Sequence, residues 1–186
     1  MIISESVCTP EEVLTFWFEE LAPEQWFQAS DALDAQCVRR FRATHLALAR
    51  QDGLVWRDTP EARLAAIIVL DQLPRNMYRA TPLAFATDGL ALREARAALA
   101  AGADQAVAED RRVFFYLPFE HSEALDDQLR SVDLMTALGH PLYLDYAERH
   151  LAVIRRFGRF PHRNASLGRA STDAEQAYLA EPGAGF

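Results

Sequence analysis

Residues 151–169 read LAVIRRFGRFPHRNASLGR. Leu151, Ile154 and Phe157 recur at helical spacing, Gly158 breaks the coil, and Phe160-Pro161 builds a turn beyond it. Helix, glycine stop and proline turn form a grammar that repeats along the chain, and it makes the fold all-α. Starts are marked by Thr9-Pro10-Glu11-Glu12, a cap residue with Pro at the first helical position and Glu three after the cap. Thr59-Pro60 and Thr81-Pro82 repeat that start, and Thr172-Asp173-Ala174-Glu175 is a second capping box. Stops fall at Asp52-Gly53, Ala101-Gly102, Gly139-His140-Pro141 and Gly158. No Asn-Gly turn and no alternating Val/Ile/Thr run signals a sheet. The spacing predicts about eight helices, over 10–20, 31–51, 60–73, 82–101, 109–117, 123–138, 142–157 and 173–180. Short connections predict that sequential helices pack as antiparallel neighbours in a single domain, 1–186. Val13 to Phe27, rich in Trp and Phe, is expected to dock on the body as an apolar end piece.

Charge is distributed against the average. The formal net charge is -8, yet Arg149 to Arg169 holds six arginines, two histidines and no carboxylate. Such a run needs acidic partners from elsewhere in the fold or an anionic ligand. The acidic balance argues against nucleic acid, whose phosphates need basic surface. No apolar run approaches the ~20 residues of a membrane helix, and the opening MIISESVCTPEE has no signal-peptide pattern. Cys8 and Cys37 form no disulfide framework and no metal-spaced pair, so the expected compartment is the cytoplasm.

Candidate site residues are polar side chains at positions where helical spacing calls for apolar ones. Asp71 falls four after Ile67 and three after Ile68, on the inner face. A carboxylate there requires a partner, from Arg75, Arg79 or the 149–169 run. In Val113–Glu123 the stripe of Val113, Phe114 and Leu117 extends to Glu120 and His121, with Pro118 expected to end or restart the helix. Ser122 is placed to cap the next helix, and Asp127 and Arg130 to pair locally. Glu120, His121 and Glu123 match no standard zinc spacing, and no metal or cofactor is assigned. His150 is expected to point inward among Tyr146, Ala147 and Ile154.

After Phe157 the turn presents Arg159, His162, Arg163 and Asn164. It suits a phosphate or carboxylate, and suits equally a clamp on Asp71, Glu120 and Glu123.

Three ordered segments, Asp71-Gln72-Leu73-Pro74-Arg75-Asn76, Leu117 to Glu123 and Arg156 to Asn164, resemble the signatures of a bacterial domain-of-unknown-function family, number nine hundred and twenty-four. Val13-Leu14 with Phe16-Trp17-Phe18, Trp26-Phe27, and the tail from Leu167 to Gly185 fit the same family. The resemblance implies an all-α fold similar to the right-handed superhelix of tetratricopeptide repeats, and no established activity or catalytic residue. Two readings follow. In one, Arg75, Asn76, Arg159, Arg163 and Asn164 hold a small anion, with His121 or His162 as acid or base and Asp71 or Glu120 orienting it. In the other, the cluster is internal wiring of an interaction module that receives a peptide partner. Whether the chain is an enzyme, and its oligomeric state, stay open at this level.

Overall fold

The computed structural model describes residues 6–50 and 56–185, so the Asp52-Gly53 stop lies outside the described residues. Eight helices and no strand occur among them. They are α1 (10–20), α2 (Asp31–Arg50), α3 (60–77), α4 (Asp88–Ala100), α5 (Val113–Glu120), α6 (Leu125–Leu138), α7 (Pro141–Phe157) and α8 (Asp173–Leu179). None is long and apolar enough to cross a membrane. The capping boxes form as the spacing predicts: Thr9 takes the Glu12 N–H and Thr172 the Glu175 N–H, each Glu returning the bond. Gly102, Gly139 and Gly158 end α4, α6 and α7 in the left-handed conformation that lacks a Cβ penalty.

Two departures from the sequence reading have physical causes. The expected helix over 82–101 is split into a 3₁₀ turn, Pro82–Phe85, and α4. Thr87 at the junction is committed to another helix, as described below. And α5 runs through Pro118 to Glu120 instead of stopping. All eight of its residues are buried, so packing outweighs the one hydrogen bond that the proline ring removes.

The core is built around α3 and α5. Leu64, Ala65, Ile67, Ile68 and Leu73 of α3 are buried, as are Phe114 and Phe115 of α5. The aromatic end piece docks as expected: Trp17, Phe18 and Trp26 surround Phe114 at ring distances of 5.8, 5.4 and 5.1 Å. Trp26 Nε1 closes that hairpin by donating to the Trp17 carbonyl at 2.7 Å. Along the chain α2 packs on α3, α3 on α4 and α5, α4 on α5, α5 on α6 and α6 on α7, while α1 reaches both α3 and, through Phe16–Phe41 and Glu20–Arg40, α2. Chain order is thus also packing order, and it gathers several helix ends at one place.

Candidate functional site

Asp71 is where those ends meet. It lies in a π turn, Ile68–Gln72, inside α3, where the Leu73 N–H reaches back five residues to the Ile68 carbonyl. Pro74 has no N–H, so the Leu70 carbonyl four residues earlier loses its helical donor. The Thr87 hydroxyl supplies the missing bond at 2.6 Å, pinning the start of α4 against the π turn. His45 Nε2 lies 3.2 Å from the same hydroxyl. The Asp71 side chain is wholly buried. It accepts from His121 Nδ1 at 2.8 and 3.0 Å and from the Gln72 amide, and faces Arg75 Nη1 at 3.3 Å. Burial opposes its charge, but Arg75 and His121 outweigh burial and hold the carboxyl well below the usual carboxylate range.

Arg75 continues the network by binding both oxygens of Asp88, at 3.0 and 3.1 Å. Asp88 also accepts from Arg163 Nη1 at 3.2 Å. The Arg163 guanidinium is sandwiched between the Phe85 and Phe160 rings, 4.6 Å from each. Burial and the neighbouring Arg75 lower its pKa to about 10. Its Nε is buried without a hydrogen-bond partner among the described residues. A third link joins the Phe160 corner to the end of α5. Glu123 accepts the Phe160 N–H at 2.8 Å and both Nη groups of Arg169 at 2.8 and 2.9 Å.

Glu120 and His121 are consecutive yet go to different partners. Glu120 is buried beside His150, whose Nδ1 lies 3.3 Å from Oε1, while Oε2 has no partner among the described residues. Burial, with Asp71 nearby, raises its pKa to about 8, so it is a neutral acid at pH 7. His150 points inward as expected and donates from Nδ1 to the Tyr146 carbonyl at 2.8 Å. Burial lowers its pKa to about 3.

These corners enclose a cleft of about 320 Å³. Pro82, Phe85, Leu92, Pro118 and Leu167 supply apolar wall, and Asp88, His121, Ser122, Glu123 and Arg163 the polar part. An ionised carboxylate only accepts hydrogen bonds, so the His121 proton sits on Nδ1. Burial and Arg75 lower the pKa of the ring, against the opposing pull of Asp71, and so favour its neutral form. Nε2, which has no partner among the described residues, therefore carries a lone pair able to take a proton.

Of the residues singled out from sequence, Asp71, Arg75, His121 and Arg163 come together here. Glu120 lies behind them, away from the cleft lining. His162 lies tilted beside Phe160 at 5.6 Å, and Gly185 comes close enough that a Cβ there would sit 3.0 Å from the His162 Cβ. The remaining three turn elsewhere: Arg159 to Glu175 at 2.6 and 2.8 Å, Asn76 to Asp34 at 2.9 Å, and Asn164 to Ser171 at 3.0 Å. Arg79, one of the partners considered for Asp71, also binds Asp34. Asp127 pairs with Arg96 and Ser122, not with Arg130. Among the described residues no three potential ligands, Glu120, His121 and Glu123 included, surround a metal position.

Sequence reasoning missed Asp88, which reads as an ordinary first-turn acid, and Arg169, the last arginine of the basic run. It also missed Gln128, wholly buried, whose amide donates to the carbonyls of Glu120 and Ser122 at 2.6 Å each and caps the end of α5. A Gln among the polar residues of α6, next to the exposed Leu129, carries no signal of its own.

No curated protein sequence matches the chain. It is similar to the solved structure of a protein of unknown function from Agrobacterium tumefaciens, with 45% identity and a TM-score of 0.86 over 92% of this chain and 96% of that one. A family model described as "Bacterial protein of unknown function (DUF924)" matches residues 13–183, and the chain belongs to that family.

Proposed function

We propose that the cleft binds a small anionic ligand and that the Asp71–His121 pair performs acid–base chemistry on it. The observation that carries this reading is the orientation of His121. Its inner nitrogen is held at 2.8 Å by a fully buried carboxylate, and the residue itself lines the cleft. A carboxylate that fixes the tautomer of an imidazole leaves the outer nitrogen as a base of fixed direction. Arg163 adds a cation with donor capacity to spare, since Asp88 takes one of its five N–H groups. Its two flanking rings keep the guanidinium plane in place, which suits recognition of a carboxylate or phosphate.

A second reading has its own support. Arg75, Arg169 and Arg159 are each paired with carboxylates, as internal wiring of an interaction module requires. Arg163→Ala separates the two. Asp88 keeps its two bonds to Arg75, so a binding role predicts a stability loss of only about 1 kcal/mol together with loss of ligand response. A structural role predicts the ~3–5 kcal/mol of a broken buried pair. Thermal denaturation of both proteins against a panel of carboxylates and phosphorylated metabolites measures both quantities. No shift with any anion, together with a large loss of stability in Arg163→Ala, refutes the binding reading.

A further inference from the structure

Gly89 stands in the first turn of α4 and lines the cleft. Its φ is not in the left-handed range, and a Cβ built on it meets nothing within 4 Å. The protein itself therefore gives no steric reason for a glycine, although a helical glycine is less stable than alanine. Gly89 is exposed at the cleft lining, with open space where a side chain would stand. Around it, the N–H groups of Asp88, Gly89 and Leu90 have no protein acceptor among the described residues, and Thr87 provides no side-chain cap because its hydroxyl goes to Leu70. The second cationic contribution is Arg163, 6% exposed, with its Nε unsatisfied.

The rest of the cleft narrows the ligand. Two carboxylates, Asp88 and Glu123, line it and oppose a doubly charged group. Pro82, Phe85, Leu92, Pro118 and Leu167 give apolar wall that a sugar phosphate would leave without hydrogen bonds. The volume, about 320 Å³, is at the small end for ligand sites. From these we infer that the ligand is a small apolar monocarboxylate whose head group lies between Arg163 and the first turn of α4, and that Gly89 is the residue that admits its body. This rests on the anion-binding reading above and narrows it to one chemical class.

The test uses the full chain with benzoate, hexanoate, inorganic phosphate and glucose 6-phosphate, followed by calorimetry and thermal denaturation. The expected result is that benzoate or hexanoate binds and the phosphates do not. Gly89→Ala should melt about 2 °C higher without ligand and bind the carboxylate at least tenfold more weakly. Gly89→Leu, with a longer helix-forming side chain, should keep the fold and abolish binding. Tighter binding of phosphate than of either carboxylate overturns the inference. So does Gly89→Ala binding as wild type does while Arg163→Ala does not, an outcome that leaves the anion site standing. Absence of any response in the wild type removes both.

Discussion

Replacing Glu120 by Gln should make the protein more stable at neutral and alkaline pH and leave it almost unchanged in acid. The carboxyl is 3% exposed, and its pKa is raised from the ordinary 4.5 to about 8, by burial and then by the Asp71 charge. Between those two values the unfolded chain ionises Glu120 and the folded chain does not. Stability contributed by the neutral acid is therefore complete below pH 4.5 and is lost as pH rises toward 8, by about 1.4 kcal/mol per pH unit. At pH 7 the accumulated loss is about 3 kcal/mol, a large share of the ~5–15 kcal/mol that holds a domain together. Gln keeps the shape and the acceptor beside His150, exchanging a partnerless O–H for a partnerless NH2, both uncharged donors. For a chain of this size about 3 kcal/mol corresponds to about 10 °C in melting temperature. Melting curves of wild type and Glu120→Gln at half-unit steps from pH 4.5 to 8.5 should coincide at the acid end and diverge steadily above it. Parallel curves across that range would show that Glu120 ionises as an exposed carboxyl does, and the reasoning would fail.

Asp71→Asn should cost about 3 kcal/mol at pH 7 by weakening the contacts to Arg75 and His121. Because the folded carboxyl titrates below its ordinary 3.8, the wild-type advantage should persist above that pH and shrink as pH falls below it. Urea titrations at pH 7 and pH 3 measure this, and an equal difference at both would contradict it. Thr87→Val should lose about 2 kcal/mol, since the Leu70 carbonyl freed by Pro74 then has no donor. A midpoint within ~0.3 kcal/mol of wild type by urea unfolding would show that water replaces the hydroxyl. Gln128→Leu should cost about 2–3 kcal/mol, because the carbonyls of Glu120 and Ser122 lose their cap. Hydrogen exchange confined to normal protection along α5 would refute that capping role.

Much of this arrangement is written in local spacing. Helical spacing from Ile67 and Ile68 already marks Asp71 as an inward residue, although the π turn sets its final direction. The same argument places His150 on the inner side of α7. What spacing does not carry is the choice of partner. Asp71 finds a histidine fifty positions away as well as the arginine four positions on. Glu120 and His121 are adjacent, yet the end of α5 sends one to α7 and the other to α3, a division set by where the coil unwinds. The fate of Asp88 depends on the break between Pro82–Phe85 and α4, which follows from a hydroxyl bond to a different helix. Long-range pairing of this kind has no periodic trace in the chain.

The π turn at Ile68–Gln72 holds one residue more than a regular turn would. Each residue advances an α-helix by about 100°. A one-codon deletion there would restore an even coil and swing Asp71 away from His121 while every letter of the constellation survived. Descent within such a lineage could thus break the Asp71–His121 contact through length alone, and a comparison of relatives that scores only identities would count the altered copy as intact.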